Sequence, residues 1–223
     1  MLPFHQLKRQ RTLTEQAADA IRARIVGGEF QLGEALSEIT LAAELGVSKT
    51  PVREAFLQLK NEGLVDIQPQ RGTFVFQMTV EQIRQLTVLR ELLEVGALRL
   101  ACCENTGSLA GILTDIVARM AKAIDALDHR LYRQLDHDLH LQIIAGSRNQ
   151  FIEAAYGSIA FRIQALRNRL ALKQAQNLRS LEEHRDLVQS MRENDAARAV
   201  TRLMEHIRVT SREYILYFEQ PDS

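Results

Sequence analysis

Apolar residues follow two different patterns along the chain, and the change falls near residue 78. Before it, short helical spacings alternate with runs of β-branched and aromatic residues. From Thr79 onward the spacing is helical throughout, and no proline occurs until Pro221. The pattern therefore predicts a mostly α-helical protein in two domains, a mixed domain over residues 1–78 and an all-helical domain over residues 79–223.

Between residues 36 and 63 the apolar positions predict two short helices joined by a tight turn. Ser37 can cap the first helix, and Gly46 supplies the left-handed residue that ends it. Ser48 can cap the second helix, which ends at Gly63. The spacing is typical of a helix-turn-helix. The apolar faces consist of Ile39, Leu41, Ala42 and Leu45 in the first helix and Val52, Ala55, Phe56 and Leu59 in the second.

The second helix begins with side chains suited to DNA. Hydroxyl groups, two cations and the positive helix end come together there. Two β-rich runs follow, residues 64–67 and 73–76, and the turn between them places Arg71 to enter a minor groove. An ion pair along the helix is the alternative role for Arg53, but no residue three or four positions away is acidic. The predicted DNA contacts are Ser48, Lys49, Thr50, Arg53, Arg71 and Gly72.

The segment GVSKTPVREAFLQLKNEGLV, followed by RGTFV, closely resembles the winged helix-turn-helix of GntR-family bacterial transcription regulators. The likeness covers about residues 12–76. It implies that Lys49, Thr50 and Arg53 contact DNA from the recognition helix, and that Arg71 with Gly72 does so from the wing. Many members carry arginine where this chain has Lys49. Lysine cannot form the rigid bidentate fork of arginine to guanine, so base recognition is expected to be weaker there.

Composition bounds the function classes. The 223 residues are 46% hydrophobic and 25% charged with a formal net charge of zero, which argues against charge-driven coating of nucleic acid and requires locally clustered cations. Lys8, Arg9 and Arg11 either extend that cluster or form a solvated tail. No apolar run reaches the roughly 20 residues that span a bilayer, and the N-terminus lacks a secretion signal, so we expect a cytoplasmic protein. The adjacent Cys102 and Cys103 are expected to be buried free thiols.

The second domain is predicted to be a bundle of six antiparallel helices with short connections. A capping box at Thr79 opens a long first helix. Its predicted buried positions are Ile83, Leu86, Leu89, Leu92, Leu93 and Leu98. No strand pattern interrupts the helical spacing up to the end of the chain. The six predicted helices begin near Thr79, Ser108, Asp128, Asn149 or Gln150, Asn177 and Asp195.

Four potential metal ligands lie within these helices. Asp136 and His140 are one turn apart, so their side chains share a face. His184 and His206 have apolar neighbours three or four positions away and are expected to point inward, where an imidazole needs a partner or a metal. Any one histidine taken alone could be an ordinary core or surface residue. His137 lies off the face shared by Asp136 and His140 and is expected to be exposed.

The segments RQLDHDLHLQIIAGSRN, LEEHRDLV and RLMEHI resemble the helical ligand-sensing (FCD) domain of the FadR-like branch of GntR regulators. The resemblance implies that one aspartate and three histidines hold a divalent cation. Such a set suits Zn²⁺, Ni²⁺ or Mn²⁺ and leaves coordination positions for water or an effector carboxylate. Asn149 also matches the branch pattern. The implied ligands are Asp136, His140, His184 and His206.

Arg90 matches an arginine of the branch that often faces the ligand cavity, where it would bind an effector carboxylate. The alternative for this residue is a surface salt bridge with Glu94, one turn further on. Members of the branch commonly sense small organic or sugar acids. The resemblance therefore implies a regulator, commonly a repressor, whose operator affinity is changed by a small carboxylate effector.

We expect a homodimer on a palindromic operator, because one recognition helix contacts too few bases for genomic specificity. Two alternatives remain at this point. The His₃Asp site could activate water in a metal-dependent hydrolase, although no HExxH motif or glycine-rich phosphate loop occurs, and Glu183 and Glu205 are expected to point away from the site. A metal there could also be purely structural.

Overall fold

The computed structural model describes residues 11–170 and 174–219. The chain divides into two compact units between Phe76 and Gln77. The first unit contains α1 (Leu13–Gly27), β1 (Ala35–Leu36), α2 (Glu38–Leu45), α3 (Lys49–Asn61), β2 (Val65–Gln68) and β3 (Gly72–Val75). The second contains α4 (Val80–Asp125), α5 (His129–Gly146), α6 (Gln150–Leu170), α7 (Gln174–Arg192) and α8 (Ala196–Glu219). The predicted class, mostly α with a winged N-terminal unit, is confirmed.

Helix α2 begins and ends where the sequence predicts. The Ser37 hydroxyl accepts a hydrogen bond at 3.2 Å from the backbone N–H three residues on, and Gly46 ends the helix with a left-handed φ of 66°. The expectation that Ile39 belongs to the buried face is wrong, because the residue is 64% exposed. The side of the helix that packs in the unit is formed by Leu41 and Ala42.

Helix α3 packs its apolar face against α1, as the spacing predicts. Val52, Ala55, Phe56 and Leu59 are each fully buried, and this burial is the main stabilisation of a unit of this size. Ser48 occupies the N-cap position with extended backbone, but its side chain forms no capping hydrogen bond. The hydroxyl at the start of α3 is therefore available to a ligand.

The predicted β-hairpin forms the wing. Strands β2 and β3 pair antiparallel, with Val65 opposite Val75 and Gln68 opposite Gly72. The turn between them uses two positive φ values, 62° at Gln70 and 118° at Gly72, and the second lies in a region that favours glycine. Strand β1, which the sequence did not predict, adds to the other side of β3.

The second unit differs from the predicted bundle in one respect. The two helices expected over residues 79–127 form one continuous helix, α4, so the described part of this unit contains five helices rather than six. Gly107 and Ser108 are weak helix formers. However, the flanking Ala101 and Leu109 are both buried in the same core, and this packing overrides the local preference. Asn177 likewise lies inside α7 rather than at its start.

Helix α4 lies at the centre of this unit and packs against α5, α7 and α8. Its crossing with α5 is close at Gly146, where an added Cβ would lie 2.9 Å from Leu109 Cδ2 and 3.3 Å from the Ala101 Cβ. No helix within the described ranges is long and apolar enough to cross a membrane. The close packing of these helices determines where their few buried polar side chains meet.

Candidate metal centre and DNA-binding surface

Four buried side chains converge in the second unit. Asp136 and His140 extend from α5, His184 from α7 and His206 from α8. Each can offer one ligand atom, and all four atoms lie within 4.8 Å of one another. Donors on opposite sides of a first-row ion are about 4.2 Å apart, so this spacing suits one cation. The structure thus brings together all four residues that the sequence singled out.

The electrostatics favour the metal-binding form of each ligand. Burial lowers the pKa of His184 and of His206 to about 3 and that of His140 well below its usual value. The imidazoles are therefore neutral near pH 7 and keep a lone pair for a metal. Burial works against the Asp136 carboxylate, but the adjacent Arg167 and the three histidines hold its pKa below the usual range.

The hydrogen bonding of the cluster is incomplete in a way that fits a cation. Among the described residues, neither ring nitrogen of His184 has a hydrogen-bond partner, and His206 Nε2 has none. Buried polar atoms are nearly always satisfied, so unpartnered nitrogens that face a carboxylate suit a cation as their partner. The nearest such approach joins His184 Nε2 and Asp136 Oδ1, 3.7 Å apart. The donor set and its unused lone pairs fit a divalent transition metal.

Two carboxylates orient the histidines from outside the cluster. Glu94 Oε2 lies 2.6 Å from His140 Nδ1, and Glu183 Oε2 lies 2.7 Å from His206 Nδ1. An ionised carboxylate only accepts hydrogen bonds, so each Nδ1 carries the proton and each Nε2 keeps its lone pair. The expectation that Glu183 points away from the site is wrong. It lies next to His184 in sequence but contacts the ring of His206 on the neighbouring helix.

Arg90 lies behind this cluster. Its Nε donates to Glu94 Oε1 at 2.6 Å, so the ion pair with Glu94 that the sequence left open is formed, although it is buried rather than on the surface. Tyr156 donates to the same oxygen at 2.9 Å. Arg90 Nη2 lies 3.4 Å from Nδ1 and 3.3 Å from Nε2 of His140. This network attaches the histidine to α4.

A pocket borders the cluster on another side, with Asp136 and His206 in its wall. Arg167, from α6, also lines this pocket, and its Nη1 lies 3.0 Å from Asp136 Oδ2. Burial opposes its charge, but Asp136 and further acidic groups outweigh that effect and raise the pKa of this guanidinium. Sequence spacing gave no signal for Arg167, because its partner lies 31 positions away on another helix.

Two residues near the cluster have structural roles. His137 is only 9% exposed, so its predicted exposure is wrong, and burial lowers its pKa to about 4. Helix α5 is covered on a broader face than a surface helix, which explains the error. Asn149 Oδ1 accepts hydrogen bonds from the backbone N–H groups of Phe151 and Ile152 at 3.0 and 3.3 Å. It therefore caps α6.

The residues predicted to contact DNA all lie on the surface of the first unit. Arg53 has no acidic residue three or four positions away in its own helix, as the sequence indicates, but it has an acidic partner on the preceding helix. Its Nε and Nη2 donate to the two carboxylate oxygens of Glu38 at 3.2 and 2.8 Å. Lys8 and Arg9 lie outside the described residues, and Arg11 forms an ion pair with Asp19. The exposed set is Ser48, Lys49, Thr50, Arg53, Arg71 and Gly72.

Comparisons with known proteins agree with both units. Residues 85–209 match the FCD domain, and residues 13–75 match the family described as bacterial regulatory proteins, gntR family. The Nta operon transcriptional regulator of Aminobacter aminovorans is 31% identical over 64% of this chain and 67% of its own length. The gluconate operon transcriptional repressor of Bacillus subtilis is 28% identical over 82% of this chain and 76% of its own.

The fold is also that of a solved structure. E. coli McbR/YncC superposes with a TM-score of 0.80 at 21% identity, covering 94% of this chain and all of that one. The family and the names of the relatives indicate a regulator rather than an enzyme, so the hydrolase alternative is set aside. The chain belongs to the GntR family of bacterial regulatory proteins, with an FCD domain, and is a transcriptional regulator.

Proposed function

We propose that this regulator is a cytoplasmic repressor whose helical unit binds one divalent transition metal, Zn²⁺, Ni²⁺ or Mn²⁺, and a small carboxylate effector. The observation that carries the proposal is the buried cluster of one ionised aspartate and three neutral histidines, two of which, His184 and His206, have unpartnered ring nitrogens. A metal held by Asp136, His140, His184 and His206 would offer open coordination positions to an effector carboxylate.

The pocket beside the cluster supports an acidic effector. Arg167 lines it, and a guanidinium can bind a carboxylate through two parallel hydrogen bonds. Arg90 remains a predicted effector ligand, but it does not line this pocket, so Arg167 is the stronger candidate. The name of the Bacillus subtilis gluconate repressor refers to a sugar acid. Small organic and sugar acids are therefore the effector class that we infer.

The DNA-binding unit would act as a homodimer on a palindromic operator. Ser48, Lys49, Thr50 and Arg53 would enter the major groove, with Arg71 and Gly72 at the minor groove. Exposed apolar side chains on α4 support association of two copies, since large apolar side chains grouped on one exposed helix face are typical of interfaces. The group consists of Leu92 at 69%, Val88 at 59% and Leu89 at 41%, so the expectation that Leu89 and Leu92 are buried is wrong.

Effector binding would change operator affinity by about 1–3 kcal/mol, the usual size of a coupling between two sites. Relief of repression is the direction that we propose. The effector must then bind more tightly to the conformation that holds DNA poorly.

The test is elemental analysis of protein purified without a histidine tag, followed by thermal melts before and after chelation across a panel of small organic acids. We expect about one transition metal per chain and melting temperatures that acids raise only in the metal-loaded protein. No metal together with no response to acids would overturn the sensor proposal and leave the DNA-binding role intact. Metal without any acid response would indicate a purely structural ion.

A further inference from the structure

An exposed cation on the recognition helix is already held in place before any DNA is present. Arg53 is 67% exposed at its side chain, yet two of its nitrogens are fixed by Glu38 from α2. Surface ion pairs of this kind contribute little to stability, since water competes for both partners. The main consequence of this pair is therefore that Glu38 fixes the orientation of the Arg53 guanidinium.

A guanidinium has two edges that can each donate a pair of parallel hydrogen bonds. One edge consists of Nε and Nη2, and the other of Nη1 and the second hydrogen of Nη2. Glu38 occupies the first edge, and no hydrogen bond from Arg53 Nη1 is formed within residues 11–170 and 174–219. The second edge remains available, and its two parallel N–H groups match O6 and N7 of guanine in the major groove.

Glu38 is itself held by local structure. It is the first residue of α2, where the helix N-terminus stabilises a negative charge, and the preceding Ser37 caps that helix. A hydrogen bond from Arg53, with the nearby charge of Lys49, lowers the pKa of the Glu38 carboxyl. The carboxylate thus remains ionised and fixed on α2, and the longer and more flexible arginine adapts to it.

We propose that Glu38 is a positioning residue that holds Arg53 for bidentate recognition of one guanine in each half-site. The proposal rests on the proposed DNA-binding role of Arg53. Lys49, which lacks a fork, would then bind as a point charge, and base selection by the recognition helix would depend mainly on the paired arginine.

A simple electrostatic role of Glu38 predicts a different result when the residue is removed. If Glu38 only neutralised Arg53 and repelled phosphates, its removal would strengthen binding to every duplex alike. If it positions Arg53, its removal leaves affinity for unrelated DNA unchanged or higher while the preference for guanine falls. The ratio of the affinity for the guanine duplex to that for its adenine copy separates these cases. A purely structural role would leave this ratio unchanged.

The experiment begins with selection of duplexes from a randomised library by the full-length wild-type protein. Dissociation constants are then measured for the best duplex, for copies with each guanine replaced by adenine, and for a scrambled duplex. The variants are Arg53→Ala, Glu38→Gln and the control Glu44→Gln. Glu44 also lies on α2, but it pairs with Arg24 rather than with the recognition helix. Thermal melts verify that all variants fold.

For the wild type we expect replacement of one guanine in a single half-site to weaken binding about tenfold. In Arg53→Ala this penalty disappears, which identifies the guanine. In Glu38→Gln it falls to about threefold or less without loss of affinity for the scrambled duplex, whereas Glu44→Gln keeps it. A full penalty in Glu38→Gln overturns the positioning role alone. A full penalty in Arg53→Ala, or none in the wild type, removes Arg53 as the guanine ligand and overturns the proposal with it.

Discussion

The two units contain arginine–glutamate pairs of opposite character. In the winged unit Arg53 and Glu38 have side-chain exposures of 67% and 29%, whereas in the helical unit Arg90 and Glu94 have exposures of 3% and 0%. Glu38 occupies only one edge of its exposed arginine, so the guanidinium can bind a further partner without opening the pair. The second pair cannot be opened without leaving a buried charge unpaired. The exposed pair suits exchangeable binding to DNA, and the buried pair suits a fixed ligand geometry.

The largest effect that we expect comes from removing a metal ligand in the helical unit. His184→Ala should reduce the metal content from about one per chain to near zero, because three remaining donors cannot replace a buried imidazole. Elemental analysis of the purified variant measures this. His129→Ala is the matched control, since His129 lies on α5 outside the cluster. Unchanged stoichiometry in His184→Ala would exclude that residue from the site.

The next effect sharpens the contrast between the two pairs. Glu94→Gln should destabilise the metal-free protein by about 3–5 kcal/mol, because Arg90 would keep a buried charge without its partner. Urea denaturation in the presence of a chelator measures the free energy of unfolding. The same variant should bind metal about 10–100-fold more weakly, since His140 loses the carboxylate that orients it. A variant as stable as the wild type would show that the pair is not needed.

In the winged unit, Arg53→Ala should remove one bidentate base contact from each half-site and so weaken specific DNA binding, while leaving the melting temperature unchanged. Loss of one bidentate base contact weakens binding at least about tenfold per half-site, and a dimer loses it twice. Competition between the selected duplex and a scrambled one measures the specific part. Intact preference for the selected duplex would contradict the recognition-helix assignment.

A smaller effect is expected in the pocket. Arg167→Lys keeps a positive charge beside Asp136 but loses the planar fork, so it should retain the metal and bind acids about tenfold more weakly. The shift of melting temperature with acid concentration measures this affinity. Equal affinity in wild type and variant would indicate that the acid does not contact this guanidinium.

The smallest effect concerns an exposed ion pair of the helical unit. Glu91, on α4, accepts two hydrogen bonds from Arg208 at 2.8 Å, but the arginine is 51% exposed. Glu91→Gln should therefore shift the melting temperature by less than about 2 °C. Glu91 and Glu94 lie one turn apart on α4. A loss of stability as large as that in Glu94→Gln would mean that burial does not explain the difference between exposed and buried pairs.

Sequence patterns predicted those parts of the molecule that depend on near neighbours. The caps at Ser37 and Gly46 follow from local backbone preferences, and the four ligands follow from helical spacing together with a family resemblance. Glu94, Glu183 and Arg167 were missed as partners of the cluster, because each contacts a residue on another helix, at separations that no periodicity encodes.

The same limit explains the incorrect predictions. The ion pair of Arg53 was missed because only positions within its own helix were compared, whereas Glu38 lies 15 residues earlier. The break expected at Ser108 was wrong because core packing on both sides outweighs weak local propensity. Helical periodicity predicts one buried face on α5 and an exposed His137, but α5 is covered on more than one side.

The unbroken α4 has a mechanical consequence. At 46 residues it is a rod of roughly 69 Å, and the buried Glu94 and the exposed Leu92 lie within its first half. A continuous α-helix resists bending far more than a jointed pair of helices would. A displacement at Glu94 would therefore move the whole of α4 by rotation or translation. A glycine–proline insertion near Ser108 would divide α4 into two helices that move separately.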